Sequence, residues 1–375
     1  MRVAVVKPDA AQNDTAFEAE ARMWESIGRE SGYEFTIFAD RKLKYRNQGL
    51  EVKNLRRLGG RFWFPPYPAL LTELRGYEVI ITGDPSLYPY AIWAAIAAKA
   101  SNGRLVLDTS VTLLTPARET RRGRLILRLA KAIFDLAQAV IVPTPLTTER
   151  LAKLGLLPEG SDKVVELGHP VDTDLFRPGA TRPAGSAINI LSVGKLIYEK
   201  GHHIVIQALA DLLRNDADLR LLIAGEGPYR QTLEEICQKF RVSDKVSFLG
   251  LVPNEQLAEI YRRCDVFVHH PVAVDSWEEY FGVAVVEAMS SGLPLVVSDC
   301  GSLKYVVPES AGFIVGQGDS EVLREKVSLL TGNPQLRHDM GVQGRAFVCR
   351  RYSVPEVVRR CHEQGVLSAH GEAGW

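Results

Sequence analysis

Short apolar runs alternate with segments of helical period along the whole chain. In the first half the apolar runs at 3–6, 34–38, 79–82, 105–107 and 140–142 predict strands, with 164–167 as a candidate last one. Helical stretches fall between them near 16–31, 87–100, 123–137 and 146–154. The stretch 177–186 is rich in Pro and Gly and reads as an interdomain linker. The alternation then starts again. Strands are expected at 188–193, 219–224, 246–249, 266–269, 295–298 and 313–315, and helices at 202–214, 229–240, 254–264, 320–330 and 334–350. Asn254 is placed to cap the helix that follows it. A last helix is expected over 352–367. Strands separated by helices in both halves predict an α/β protein of two Rossmann-like domains, each a parallel sheet covered by helices. Ligands of such sheets sit at the carboxyl ends of the strands.

Length agrees with that division, because 375 residues exceed what one ordinary core holds. The formal net charge is zero, so nothing global points to nucleic acid. The distribution is uneven: residues 1–170 hold 24 Lys+Arg against 19 Asp+Glu, and residues 171–375 hold 21 against 26. The first half could therefore meet an anionic partner. All five cysteines lie in the second half, odd in number and without a CxxC pair. That argues for a reducing, cytoplasmic setting and against a disulfide framework or a structural zinc site. No signal peptide is visible, and no apolar run approaches the roughly 18–20 residues of a membrane span.

Candidate chemistry gathers in the second half. The strand at 188–193 runs into Gly194 and Lys195, then Lys200 and Gly201, ahead of a helix. Two lysines in a strand-to-helix loop suit a phosphate, although Lys and Gly are also ordinary loop residues. The strand at 219–224 runs into Gly225-Glu-Gly227-Pro228, which lets backbone approach a ligand or simply makes a tight turn. Glu279 and Glu287 stand eight positions apart around Gly282. Glu287 has apolar neighbours on both sides, and a carboxylate there needs a partner, for which a ribose diol would serve. His202 and His203 are expected in the first turn of their helix, exposed on at least one side. His269 and His270 end a strand, where one could line a pocket.

In order and spacing these segments, with Phe248-Leu-Gly250 and Val171-Asp172-Thr-Asp-Leu-Phe176-Arg-Pro178, resemble the large group-1, E-x7-E family of retaining glycosyltransferases. The likeness is strong over roughly 165–350. It implies a GT-B fold, with two Rossmann-like domains facing a central cleft: 1–175 on the acceptor side, 176–350 binding a nucleotide sugar, and 351–375 a helix crossing back. It implies transfer of a hexose from a UDP-, GDP- or ADP-sugar to an acceptor hydroxyl (lipid-linked, glycan or small molecule), with no metal or other cofactor. Assembly of cell-surface polysaccharide or glycolipid fits that chemistry. Lys195 and Lys200 would hold the diphosphate, Glu287 the ribose and Glu279 the sugar. Phe281, Gly282 and Val283 would offer amides to the phosphates, and Leu251 would lie beside the base. Glu279, Lys200 and Asp108 are the catalytic candidates.

Several departures bear on the first half. The loop after the first strand, residues 7–15, lacks the family's Gly-Gly pair, and Asp108-Thr109-Ser110 stands where a His is usual. Pro170 replaces a Gly, and 273–278 reads as an insertion before Glu279. Another nucleotide-sugar enzyme on the same fold, or a donor-binding protein with reduced catalysis, are the alternatives. Finally, the cationic amphipathic stretch 118–134, with basic and aromatic residues at 41–46, 53–57 and 62–64, would suit peripheral contact with the inner membrane face. The alternative is a helix whose apolar side packs on the first sheet and whose basic face is solvated.

Overall fold

The structure, a computed structural model, describes residues 1–7, 14–39, 50–55, 67–86, 90–110, 120–180, 186–275 and 277–368. The loop that lacks the Gly-Gly pair falls largely outside them, as do the basic and aromatic positions 41–46, 56–57 and 62–64. The chain divides into two units, one of residues 1–170 with 354–375 and one of 171–353.

The first unit is built on β1 (Arg2–Val6), β2 (Glu34–Ala39), β3 (Glu51–Asn54), β4 (Val79–Gly83), β5 (Arg104–Asp108), β6 (Ala139–Val142) and β7 (Val164–Glu166). Its helices are α1 (Asp14–Ser31), α2 (Leu70–Glu73), α3 (Tyr90–Ser101), α4 (Arg121–Leu136), α5 (Pro145–Lys153) and, after the second unit, α13 (Val354–Glu363). The strands form one sheet in the order β3-β2-β1-β4-β5-β6-β7. Every pair is parallel, with Ala4 opposite Ile80 and Val5 opposite Ile81. A parallel sheet is covered on both faces, which is why its strands read as unbroken apolar runs. Val3 and Val5 pack under Trp24 and Ile27 of α1 and Val357 and Val358 of α13. Ala4 and Val6 point the other way, into a core closed by α3 and α4 through Ala94, Ala98, Ile133 and Phe134.

The second unit holds β8 (Ile188–Val193), β9 (Leu219–Ala224), β10 (Val246–Gly250), β11 (Val266–His269), β12 (Leu295–Ser298) and β13 (Gly312–Val315). Its helices are α6 (His202–Asn215), α7 (Arg230–Lys239), α8 (Asn254–Arg262), α9 (Val283–Ser290), α10 (Leu303–Val306), α11 (Ser320–Gly332) and α12 (Pro334–Arg351). The sheet order is β10-β9-β8-β11-β12-β13, again parallel throughout. The α/β class and the two parallel-sheet domains of the GT-B fold are therefore present. No helix among the described residues is long and apolar enough to cross a membrane.

Four expectations are corrected. The junctions between units fall at Pro170/Val171 and Ser353/Val354, so the Pro/Gly stretch is not where the chain changes unit. The segment from Val171 belongs to the second unit because its backbone is held there. Val171 N donates to Tyr352 O, and the carbonyl of buried Phe176 accepts from Ser290 Oγ and Arg345 Nη1. Asn254 is the first helical residue, and the cap position is held by Pro253, which makes no side-chain capping bond. Strand β3 was not expected, because a four-residue edge strand of sequence EVKN has no apolar run to announce it. His202 is fully buried, since its ring turns inward against Ser192 Oγ, 3.0 Å from its Nδ1.

Candidate functional site

Strand order in the second unit reverses beside β8. The chain steps from β8 out to β9 and β10, then returns to add β11 on the other side. At such a switch point the loops leaving two adjacent strands diverge and open a crevice at their carboxyl ends. The loop after β8 carries Gly194, Lys195 and Lys200, and the loop after β11 carries His270 through Gly282. The two loops are tied together, as Val272 N donates to Glu199 O at 2.8 Å.

Across this junction Lys200 Nζ donates to Glu279 Oε2 at 2.6 Å, and His269 Nε2 lies 3.0 Å from the same oxygen. Glu279 is 3 % exposed. Burial alone would raise its carboxyl, but the Lys200 ammonium and the His269 ring outweigh that and hold it down to about 2. Burial pushes His269 below its usual value, against the pull of Glu279. A neutral ring then donates from Nε2 to the carboxylate and leaves Nδ1 a buried acceptor with no partner among the described residues. Trp277 lies over Lys200, with Nζ 4.8 Å from the ring centroid. It is presented by a tight bridge in which Val274 and Trp277 exchange backbone hydrogen bonds, so the insertion-like segment has a place in the site.

Lys195 is exposed, and no carboxylate among the described residues pairs with it. Its ammonium is pushed below the usual value, first by burial and then by the like charge of Lys200. A partly desolvated ammonium beside a second one is a place an anion would relieve. At the end of the loop after β11, three residues past Glu279, Gly282 opens α9 at φ 83°. A side chain there would be strained, and its Cβ would come 2.8 Å from Leu303 Cδ2. The amides of Val283 and Ala284 precede the first bonded turn and have no acceptor among the described residues.

Glu287 sits one turn further along α9, 9 % exposed, and Tyr261 Oη of α8 lies 3.1 Å from its Oε2. That hydroxyl oxygen is also 3.1 Å from Ala284 O, and burial first, then Glu287, pushes the Tyr261 hydroxyl well above its usual value. The partner that Glu287 was expected to need is thus supplied in part by the protein. Gly225 and Gly227 serve the loops themselves. A Cβ on Gly225 would stand 1.9 Å from Gly194 O, and one on Gly227 2.3 Å from Leu196 O. Their smallness lets the turn after β9 lie directly on the loop after β8. Leu251, just past β10, is 62 % exposed.

Asp108 lies in the first unit, at the end of β5, and Lys7 Nζ donates to its Oδ2 at 2.7 Å. Lys7 leaves β1, and β1 with β4 form the switch point of that sheet. Behind them Asp84 is buried, accepting from Ser86 N and Thr109 Oγ1. Sequence reasoning did not place Lys7, Tyr261 or Trp277. Tyr261 could have been found from the stripe Leu257, Ala258, Tyr261, which buries a hydroxyl that must be satisfied. Trp277 carried no signal beyond the loop's extra length. Among the described residues no cluster of His, Cys, Asp and Glu could hold a metal ion.

Residues 179–347 match the model of the family described as glycosyl transferases group 1. The chain is 29% identical over 228 residues to D-inositol 3-phosphate glycosyltransferase of Corynebacterium diphtheriae, covering 56% of this chain and 52% of that protein. It is 30% identical over 227 residues to the protein of the same name from Corynebacterium urealyticum, covering 55% and 51%. The chain thus spans about half the length of these curated relatives. Among solved structures, HepE of Anabaena in complex with UDP superposes with a TM-score of 0.78 at 17% identity, covering 98% of this chain and 100% of that one. Sucrose-phosphate synthase of Thermosynechococcus elongatus does so at 0.72 and 19%, covering 98% of each. At those identities the likeness is one of fold, and that fold is GT-B.

Proposed function

From a chain whose residues 179–347 match the model of the group 1 glycosyl transferases, we propose a retaining, metal-independent hexosyltransferase that uses a nucleoside diphosphate sugar as donor. The observation that carries this reading is Lys195, without a carboxylate partner among the described residues, beside Lys200 in the loop after β8, together with the open start of α9 that follows the adjacent strand β11. Charge of that kind suits a diphosphate. Lys195, Lys200 and the amides of Val283 and Ala284 hold it and stabilise the charge it gains as leaving group. Glu279, fixed by Lys200 and His269, accepts hydroxyls of the donor sugar, and Glu287 accepts those of the ribose. Leu251 borders the base. The UDP bound by the Anabaena protein supports a uridine donor as the first to try.

In the reaction the bond from the anomeric carbon to the diphosphate breaks, and the acceptor hydroxyl oxygen takes its place on the same face of the sugar. The proton of that hydroxyl leaves with the diphosphate. Asp108, which Lys7 orients, is the proposed catalytic group of the first unit. The acceptor is a glycan, a lipid-linked intermediate or a small molecule, in keeping with polysaccharide or glycolipid assembly.

A thermal-shift series with UDP, GDP and ADP, followed by nucleotide release from the corresponding hexose donors with and without a chelator, tests the reading. One diphosphate should stabilise the protein, and its sugar should be turned over equally in chelator. Glu287→Ala should weaken donor binding, whereas Glu279→Ala should mainly slow transfer. Wild-type turnover in both variants would refute the assignment. Tight binding of a donor that no acceptor discharges would instead favour a binding protein.

A further inference from the structure

Helix α4 has two apolar faces. One, made by Gly123, Ala130, Ile133 and Phe134, is buried on the first sheet. On the opposite side Leu125, Leu129 and Leu136 are 57%, 49% and 45% exposed. With exposed Ala132 they recur at i, i+4, i+7 and i+11, which is one stripe of a helix of 3.6 residues per turn. Exposed Arg121, Arg124 and Arg128 run along one flank of that stripe. The one carboxylate of the helix, Asp135, is engaged by Lys131. No carboxylate among the described residues pairs with Arg121 or Arg128. The first turn is already formed and capped, since Thr120 Oγ1 accepts from Gly123 N.

A surface helix of a globular protein normally carries one apolar stripe, turned to the core. A second stripe in water, bordered by arginines and little acid, has the composition of a helix that lies in a membrane interface. We propose that the outward face of α4 docks on an anionic phospholipid bilayer. The leucines enter the boundary between headgroups and acyl chains, and the arginines pair with lipid phosphates. Charge favours lipid over a second copy of this chain, because self-association through the patch would set one cationic surface against another. Ile96 of α3, in the same helical layer, is 48% exposed and adds apolar area on that side of the unit. The proposal stands on the first unit alone and does not depend on the donor reading.

The full chain is tested by co-sedimentation with vesicles of pure phosphatidylcholine and of an equal mixture with phosphatidylglycerol. Binding is expected to the mixed vesicles at low ionic strength, falling as salt rises. Leu125→Ser with Leu129→Ser should lower partitioning at least about tenfold. Arg121→Gln and Arg128→Gln should each lower it roughly fivefold. Unchanged far-UV circular dichroism and melting show that the variants fold. The proposal is overturned if the wild type ignores mixed vesicles at low salt, or if the folded variants bind as the wild type does. It is also overturned if light scattering finds a wild-type dimer that the leucine variant dissociates, which would assign the face to a second copy.

Discussion

Removing Lys200 should damage stability and donor binding for separable reasons. The carboxyl of Glu279 is held at about 2 instead of the usual 4.5, a difference of about 3 kcal/mol in favour of the ionised form. Breaking a buried pair by deleting one partner costs about 3–5 kcal/mol. Lys200 is 18% exposed, which places the cost near the lower end. Lys200→Ala should therefore destabilise the second unit by about 3 kcal/mol at pH 7, lowering its melting temperature by roughly 6–12 °C for a domain of this size. Glu279→Gln should cost less, because the freed ammonium can reach water. In Lys200→Ala/Glu279→Gln the neutral amide needs no counter-charge and can still accept from His269. The double variant should then be more stable than Lys200→Ala alone, with a coupling of about 2 kcal/mol. Nucleoside diphosphate binding, read by calorimetry, should stay weak in both. Because the folded carboxyl lies below its unfolded value, the pair's stability is fully present above about pH 4.5 and is lost as pH falls toward 2. The reasoning fails if the double variant is no more stable than Lys200→Ala, or if Lys200→Ala binds diphosphate as the wild type does.

The buried histidines set a second pH dependence. Burial, above all, pushes His202 down to about 3 and His270 to about 4, so the unfolded chain binds more protons below the ordinary value near 6.5. Stability should be full above that value and decline as pH falls, by about 2 kcal/mol per buried histidine at pH 5. Denaturant melts from pH 7.5 to 5 check this, and His202→Gln should flatten the profile. Gly225→Ala should destabilise the second unit by more than about 1 kcal/mol, because φ is 147° and the new methyl would meet Gly194 O at 1.9 Å. An unchanged melting temperature would show that the turn after β9 can lift off the loop after β8.

Strands buried on both faces were legible because their apolar runs are unbroken: β8, β9, β11 and β12 fall where the pattern placed them. Strand β3 was not, since an edge strand with Glu and Lys carries no such signal. The Pro/Gly stretch misled for a related reason. Its composition describes local chain freedom, whereas the unit boundary depends on what Phe176 and Val171 bond to, and those partners lie at Ser290, Arg345 and Tyr352. The amphipathic pattern of 118–134 gave the buried side of α4. It did not distinguish a solvated basic face from one that also exposes three leucines, because that depends on which helices pack beside it.

The candidate site shows the same limit more sharply. Spacing along the chain singled out Lys200 and Glu279 separately, each with an ordinary alternative as a solvated charge. They are 79 residues apart in sequence, and no local pattern can say that they touch. What joins them is topology: β11 returns to the side of β8 that β9 left open, so the loops after those two strands become neighbours. Once adjacent, burial excludes the solvated reading of Glu279, and the pairing with Lys200 and His269 becomes obligatory. Among the described residues the same step leaves Lys195 without an acid and α9 with open amides. The donor reading therefore rests less on any one motif than on a strand order that concentrates unmatched positive charge at one edge of one crevice.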